Sequence, residues 1–344
     1  MKGKVKGLML ISALFLSVNV QAKLNGKNVV LVHGLQTTHL KGAPDDAGLQ
    51  RDANEYWEKY WGSRAEAILY WSANDRISGG IKDDMRIQIK QLEAQGTCQA
   101  GCVFVTHSTG DLVLRDALSR LNQWGVNPNN FKVIASLDFA GAGGGSELAS
   151  LAVNIAEGGG IINAIARSAV DLALGFKPAP GNLGVLYDLR PPSARTIATA
   201  NGATPRLRFA GTGSEYLRIT KAFIPGKDDA VVGMHSSCGS RWVGSYDSCD
   251  RNVQADGSLK SASAPSSLYF NHFPVLMGAG TDHFEAISND RSGYMTTVVN
   301  DTTRGVRLDF DDYTKRRFLR SKVRRVRDSD NRSMSATVFE TLNR

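Results

Sequence analysis

The stretch "VFVTHSTGDLV", residues 103 to 113, constrains this chain more than any other. Val103, Phe104 and Val105 read as a buried strand, and from Leu112 onward apolar residues recur at helical spacing, so the chain must turn from strand to helix within a few residues. Such a turn leaves one side chain at its corner. That side chain stands above the carboxyl edge of the sheet, where the first amides of the helix favour developing negative charge. Here it is Ser108, flanked two residues away on either side by Thr106 and Gly110, giving T-H-S-T-G where the usual pattern is G-x-S-x-G. Ser108 is the candidate nucleophile; the plainer reading is a serine that caps a helix.

The surrounding chain alternates strand and helix signals. "NVVLVHG" (28–34), "EAILYWS" (66–72), "CVFVTHS" (102–108), "KVIASLDFAG" (132–141) and "RLRFAGTG" (206–213) read as strands, and "MRIQIKQLEAQG" (85–96) as a helix. After the corner, Leu112, Leu114, Ala117, Leu118 and Leu121 predict a helix that stops at Gly125. This alternation predicts an α/β fold, a mainly parallel sheet with helices on both faces. At 344 residues and 42% hydrophobic content, one large core or two small ones can be buried. We read one catalytic domain over 23–314 with an inserted segment.

The two ends differ from that core. "MKGKVKGLMLISALFLSVNVQA" (1–22) runs from lysines through an apolar stretch to small residues, the order of a signal peptide, so a secreted or periplasmic protein starting at Lys23 is expected. A membrane anchor is the alternative, because the apolar run is only marginally too short to span. Residues 315–327, "KRRFLRSKVRRVR", hold eight cations and no acid. With the three lysines of the leader they more than account for the net charge of +8, so the basicity is local. Residues 315–344 are read as a basic tail, and 315–327, with Phe318, Leu319, Val323 and Val326 interleaved, as a segment for an anionic membrane surface; a solvated tail or a nucleic-acid contact is the alternative. No nucleic-acid partner is expected. Four cysteines fall in two close pairs, Cys98 with Cys102 and Cys238 with Cys249, and local pairing into two disulfides suits an oxidising compartment. Cys98 and Cys102 have no accompanying histidine cluster, which argues against zinc.

"LVHGLQ", "THSTGDLV", "GGGSEL", "FAGTGS", "KDDAVVGMHSSCG" and "TDHFEAI" occur in that order between residues 31 and 287. In this ordered set the chain resembles the α/β-hydrolase superfamily, and within it the secreted bacterial lipases and esterases. The resemblance implies an α/β-hydrolase fold with an inserted helical lid. It also implies a triad: Ser108 as nucleophile, His283 as general base, Asp229 as the acid that orients the imidazole. It implies an oxyanion hole from the backbone N–H groups of Leu35 and Thr109. His33 and His107 are expected to shape the pocket rather than react. Asp228 and Asp229 are adjacent, so at most one faces His283; the cost of burying two neighbouring charges predicts one buried and one exposed.

Residues 146–189 have the composition of two short amphipathic helices joined at Gly158 to Gly160 and are read as the lid; an ordinary core helix pair is the alternative. Asp111 departs from the family pattern by placing a charge in the first turn of the nucleophile helix, with the sign the helix dipole favours. Many relatives bind a structural calcium through a carboxylate two residues beyond the catalytic histidine, here Glu285, without an identifiable companion acid. No other cofactor is implied. The expected substrate is a lipid or other carboxylic ester with an apolar acyl chain. A phospholipase or lysophospholipase, an acyltransferase, and a non-catalytic module that binds a membrane or a partner are the alternatives.

Overall fold

Strand β4 (Cys102–His107) is buried along its whole length, a state open only to a strand in the middle of a sheet with both faces covered. The computed structural model describes residues 23–342, except 25, 62–63, 160–163, 200–201, 215–217, 289–290, 300–301, 304–305, 308–309 and 318–320. The leader (1–22) therefore lies outside the described residues. β4 pairs in parallel with β2 (Lys27–Val32) on one side and β5 (Val133–Phe139) on the other. β6 (Arg206–Ala210) and β7 (His272–Leu276) continue the parallel set, and the short β3 (Ala67–Leu69) pairs in parallel with β2. Two short strands run antiparallel, β1 (Lys23–Leu24) on β2 and β8 (Thr296–Thr297) on β7. The sheet order is β1-β2-β4-β5-β6-β7-β8, with β3 also on β2.

Alternation along β2 assigns its residues to two cores. Val30 and Val32 join Phe104, and with them α2 (Lys82–Ala94) and α3 (Gly110–Ser119), through Ile89, Leu112 and Leu114. Val29 and Leu31 join Val103, Val105, Phe139 and Phe209 on the opposite face, covered by Trp57 from α1 (Asp46–Glu58). Truncating a fully buried ring such as Phe104 to alanine costs about 3–5 kcal/mol, so a one-residue register slip, which exchanges the two faces, is strongly opposed.

The expected fold class is the observed one, with shifts at element ends and one strand that the sequence reading lacks. The helix after Ser108 closes at Ser119, and a turn carries the chain on to Gly125. β7 was not expected, although its Phe273, Val275 and Leu276 are as buried as those of β6. Within 146–189 lie α4 (Glu147–Ala156) and α5 (Ala164–Leu174), with α6 (Pro191–Ala194) following. Cys98 and Cys102 are bonded, as are Cys238 and Cys249, with Cα separations of 4.9 and 6.1 Å; the second bridge follows α7 (Met234–Ser237).

The chain past 314, expected as a basic tail, carries regular structure among its described residues: beyond β9 (Thr302–Thr303) and β10 (Val306–Arg307), β11 (Asp312–Arg316) pairs antiparallel with β12 (Lys322–Val326). Val323 and Val326 are buried, and the amide of Val326 donates to Met295. α8 (Met334–Leu342) then packs Met334 and Val338 into the core beside Phe139 and Phe209. The two valines are three apart and so lie on opposite faces of β12: Val326 joins the core beside Phe139 while Val323 is bridged by Ser258, so the strand is covered on both faces, and Lys315, Arg316, Lys322 and Arg327 stay exposed. Phe318 and Leu319 lie outside the described residues. Among the described residues no helix is long and apolar enough to cross a membrane.

Candidate active site

Ser108 sits between β4 and α3 with φ at +54°, a left-handed conformation that a residue with a Cβ adopts only when its surroundings hold it there. They do so from both sides. Its amide donates to Phe139 of β5, and its carbonyl accepts from the amides of Ala142 and Asp111. A Cβ at Gly110 would stand 2.5 Å from the carbonyl oxygens of Val32 and His33, so only glycine lets α3 approach β2 this closely. The strained corner thus projects the Ser108 hydroxyl beyond the carboxyl ends of the parallel strands.

There it meets two residues from distant segments. His283 Nε2 lies 2.9 Å from Ser108 Oγ, and His283 Nδ1 lies 2.9 Å from Asp229 Oδ2. All three are buried. The other carboxylate oxygen, Asp229 Oδ1, accepts the amides of Val231 and Val232, and the His283 amide donates to the Asp229 carbonyl, so acid and imidazole are docked by backbone as well as side chain. With Nδ1–H donating to the carboxylate, Nε2 is left as acceptor for the serine O–H. Such a chain can remove a proton from the hydroxyl as it attacks and return it to a leaving group.

A central parallel sheet, a strained serine at the end of its inner strand, and an acid and a histidine supplied after β6 and β7 define the architecture. It is the α/β-hydrolase fold. No family model and no curated protein sequence matches the chain. Solved structures similar to it include the lipase BlEst2 of Bacillus licheniformis in mature form, at 17% identity and a TM-score of 0.45, covering 77% of this chain and 87% of that one. The metagenomic carboxyl esterase MGS0156 follows at 16% and 0.37, covering 62% of this chain and 60% of the other. Phospholipase PlaB of Legionella pneumophila matches at 15% and 0.39, covering 62% and 46%. The chain therefore spans less than two thirds of the latter two.

In this α/β-hydrolase frame, Leu35 and Thr109 line the same pocket as Ser108, and their amides donate to no described residue. The pocket holds about 490 Å³ of space, its mouth included. Leu148 and Ala149 of α4, Val170 and Leu174 of α5, and Leu186 and Val232 give it an almost wholly apolar wall.

The two other histidines near the serine are structural. His33 stacks on Trp71 with ring centroids 4.9 Å apart, its Nδ1 donates to the Gly34 carbonyl, and its Nε2 accepts the Trp71 amide. Burial lowers its pKa to about 4, so it stays neutral. His107 accepts the Tyr56 hydroxyl at Nδ1 and donates from Nε2 to the His283 carbonyl at 2.9 Å. Burial, reinforced by the neighbouring His283, holds His107 well below the ordinary imidazole range.

Asp228 requires a correction: it is as buried as Asp229. Its carboxylate turns away from His283 to Lys221 and to the Ala230 amide, and burial raises its pKa. The cost of two adjacent buried acids is met by giving each its own donors instead of exposing one. Ala230, next in line, takes φ at +81°, in the left-handed region that favours glycine.

At the position expected of a structural calcium, Glu285 accepts the Asp282 amide through one carboxylate oxygen, and Asp282 accepts the amides of Phe284 and Glu285 through one of its own. Among the described residues no cluster of three or more acidic, histidine or cysteine side chains is arranged to hold a metal.

Sequence reasoning missed a buried ionic network behind the elbow. Arg208 grips Asp111 through two bonds of 2.6 and 2.5 Å and donates to the Ser237 carbonyl, just past the Asp229 loop. Arg206 bridges Asp111 at 2.7 Å and Asp138 at 3.1 Å. The Thr106 and Ser136 hydroxyls donate to Asp138. Burial alone would raise the Asp111 carboxyl; Arg208 and Arg206 outweigh it and hold the group well below the usual carboxylate range. The available signal was "RLRFA", with two arginines on one face of an otherwise apolar strand.

Proposed function

We propose that this protein is an exported serine hydrolase that cleaves carboxylic esters of apolar acyl chains through an acyl-enzyme. The observation that carries the reading is the continuous chain from Ser108 Oγ through His283 to Asp229 at one end of an apolar pocket. In the first half-reaction Ser108 Oγ bonds to the ester carbonyl carbon as its proton passes to His283 Nε2. Asp229 holds the resulting imidazolium, and the amides of Leu35 and Thr109 receive the oxyanion. The imidazolium then gives its proton to the leaving alkoxide, and the C–O bond breaks. Water, deprotonated by the same nitrogen, releases the acid and restores the serine.

Export rests on the order of charge and hydropathy in residues 1–22 and on the two disulfides, which persist in oxidising compartments. The apolar faces of α4 and α5 suit a covering segment that admits an acyl chain and excludes water. The test is a panel of p-nitrophenyl esters of increasing chain length, with phospholipids beside it, run on the chain lacking residues 1–22. We expect turnover that a serine-directed phosphonate abolishes by forming an adduct on Ser108. Absence of turnover on every ester, with no adduct, overturns the reading.

A further inference from the structure

A second pocket opens away from Ser108, beside the C-terminal half of α3 and the starting ends of β6 and β7. Arg115, Ser119, Arg206, Tyr269 and His272 line it, and it holds about 1010 Å³ of space, its open mouth included. Arg115 and Arg206 are unusual pocket residues because each is more than nine-tenths buried.

Their hydrogen bonds leave part of each guanidinium free. Arg115 donates from Nε to the Ile197 carbonyl and from Nη2 to the Ala194 carbonyl, and its guanidinium lies 5.4 Å from the Tyr269 ring centroid. Arg206 donates from Nε and Nη2 to Asp138 and Asp111. The Nη1 groups of both arginines donate to no described residue, and neither is fully sealed from solvent.

The charge count points the same way. Arg115, Arg206 and Arg208 face only Asp111 and Asp138, because Asp116, the nearest further acid of α3, is held by Arg120 at 2.7 and 2.9 Å. Arg115 has carbonyls and a ring for partners but no carboxylate. His272 adds no negative charge. One buried positive charge is left over, with two Nη1 groups that donate to no described residue, beside a cavity edged by hydroxyls. Buried guanidinium groups are ordinarily paired with an acid, and the fork of N–H donors matches the oxygens of a carboxylate or phosphate.

We propose that this pocket binds an oxyanion, the phosphate or carboxylate group of a small ligand, between Arg115 and Arg206. The proposal is independent of the ester-hydrolase reading, since no residue of that chemistry lines the pocket. Isothermal titration of the full chain with inorganic phosphate, glycerol 3-phosphate and octanoate, at constant ionic strength against a chloride reference, tests it. Saturable binding of at least one is expected, weakened more than tenfold in Arg115→Gln and in Ala203→Glu. The latter sets a carboxylate at the exposed rim without touching the buried network. Binding of the two phosphates alone assigns a phosphate site, and binding of octanoate alone a carboxylate site. If Arg115→Gln does not fold, Ala203→Glu alone decides. No saturable binding by any of the three, or binding by Ala203→Glu equal to that of the unaltered chain, overturns the proposal.

Discussion

Asp111 and Asp138, both fully buried, share the same two guanidinium groups, Arg206 and Arg208. This explains both departures from the usual elbow pattern. Thr106, in place of the first glycine, donates its hydroxyl to Asp138, and Asp111 turns under Gly141 and Gly143 instead of toward the pocket, where a Cβ at Gly143 would come within 2.4 Å of its carboxylate. Removing one member of a buried ion network strands the others and costs about 3–5 kcal/mol. Asp111→Asn is therefore expected to lower the urea midpoint severely or to prevent folding. A midpoint within experimental error of the unaltered protein would show that the network is dispensable.

Ser108→Ala removes the attacking oxygen and leaves the core untouched. Members of a triad act as one unit, so turnover is expected to fall by on the order of 10⁶ with an unchanged circular dichroism spectrum. Ester hydrolysis undiminished in this variant removes Ser108 from the chemistry.

The adjacent acids separate by function. Asp229→Asn places an amide where Nδ1–H must be accepted, and the wrong imidazole tautomer costs about 10⁴ in turnover. Asp228→Asn keeps its turn through the Ala230 amide and is expected to retain most activity while losing stability through Lys221. Steady-state rates of the two variants with one soluble ester decide; the reverse ranking moves the acid to Asp228.

Four buried histidines give the protein a defined acid limit. His33 and His235 are lowered by burial to about 4, and burial holds His107 and His272 well below 6.5. The unfolded chain takes up these protons as pH falls below about 6.5 while the folded one does not, so each histidine costs about 1.4 kcal/mol per pH unit across that window. Glu147, Asp228 and Asp84, the last raised to about 6, are all raised by burial and work in the opposite direction, three groups against four, so the histidines set the sign of a reduced net loss. The stability lost between pH 6.5 and 4 should appear as a steadily falling urea midpoint. A midpoint constant over that range contradicts the neutral assignment.

Any attraction of the exposed hairpin cations to an anionic surface is expected to be weaker than that of a free tail. Lys315, Arg316 and Lys322 are exposed and Val323 and Val326 are buried, so among the described residues the expected attraction is electrostatic, about 1 kcal/mol per cation near an anionic surface. Replacing these three by serine should reduce co-sedimentation with anionic vesicles at low salt and leave soluble-ester turnover intact. Vesicle binding that survives 1 M salt would exclude this account.

How much was legible in the chain itself follows from the range of each interaction. The strands and helices around Ser108, and the corner between them, depend on side-chain period and residue size over a dozen residues, so "VFVTHSTGDLV" determines them locally. The choice of Ser108, Asp229 and His283 was legible only because ordered motifs mark loops at the ends of successive strands. Tertiary structure decided the rest. It turned Asp228 away from His283 yet buried it, used His107 to hold the His283 carbonyl, and paired 312–316 with 322–326 as strands. It also joined Thr106, Asp111, Asp138, Arg206 and Arg208, up to 102 positions apart, into one network. A charge in a core is affordable only beside its partner, and which partner lies near is set by sheet order and register, which no local stretch of the chain encodes.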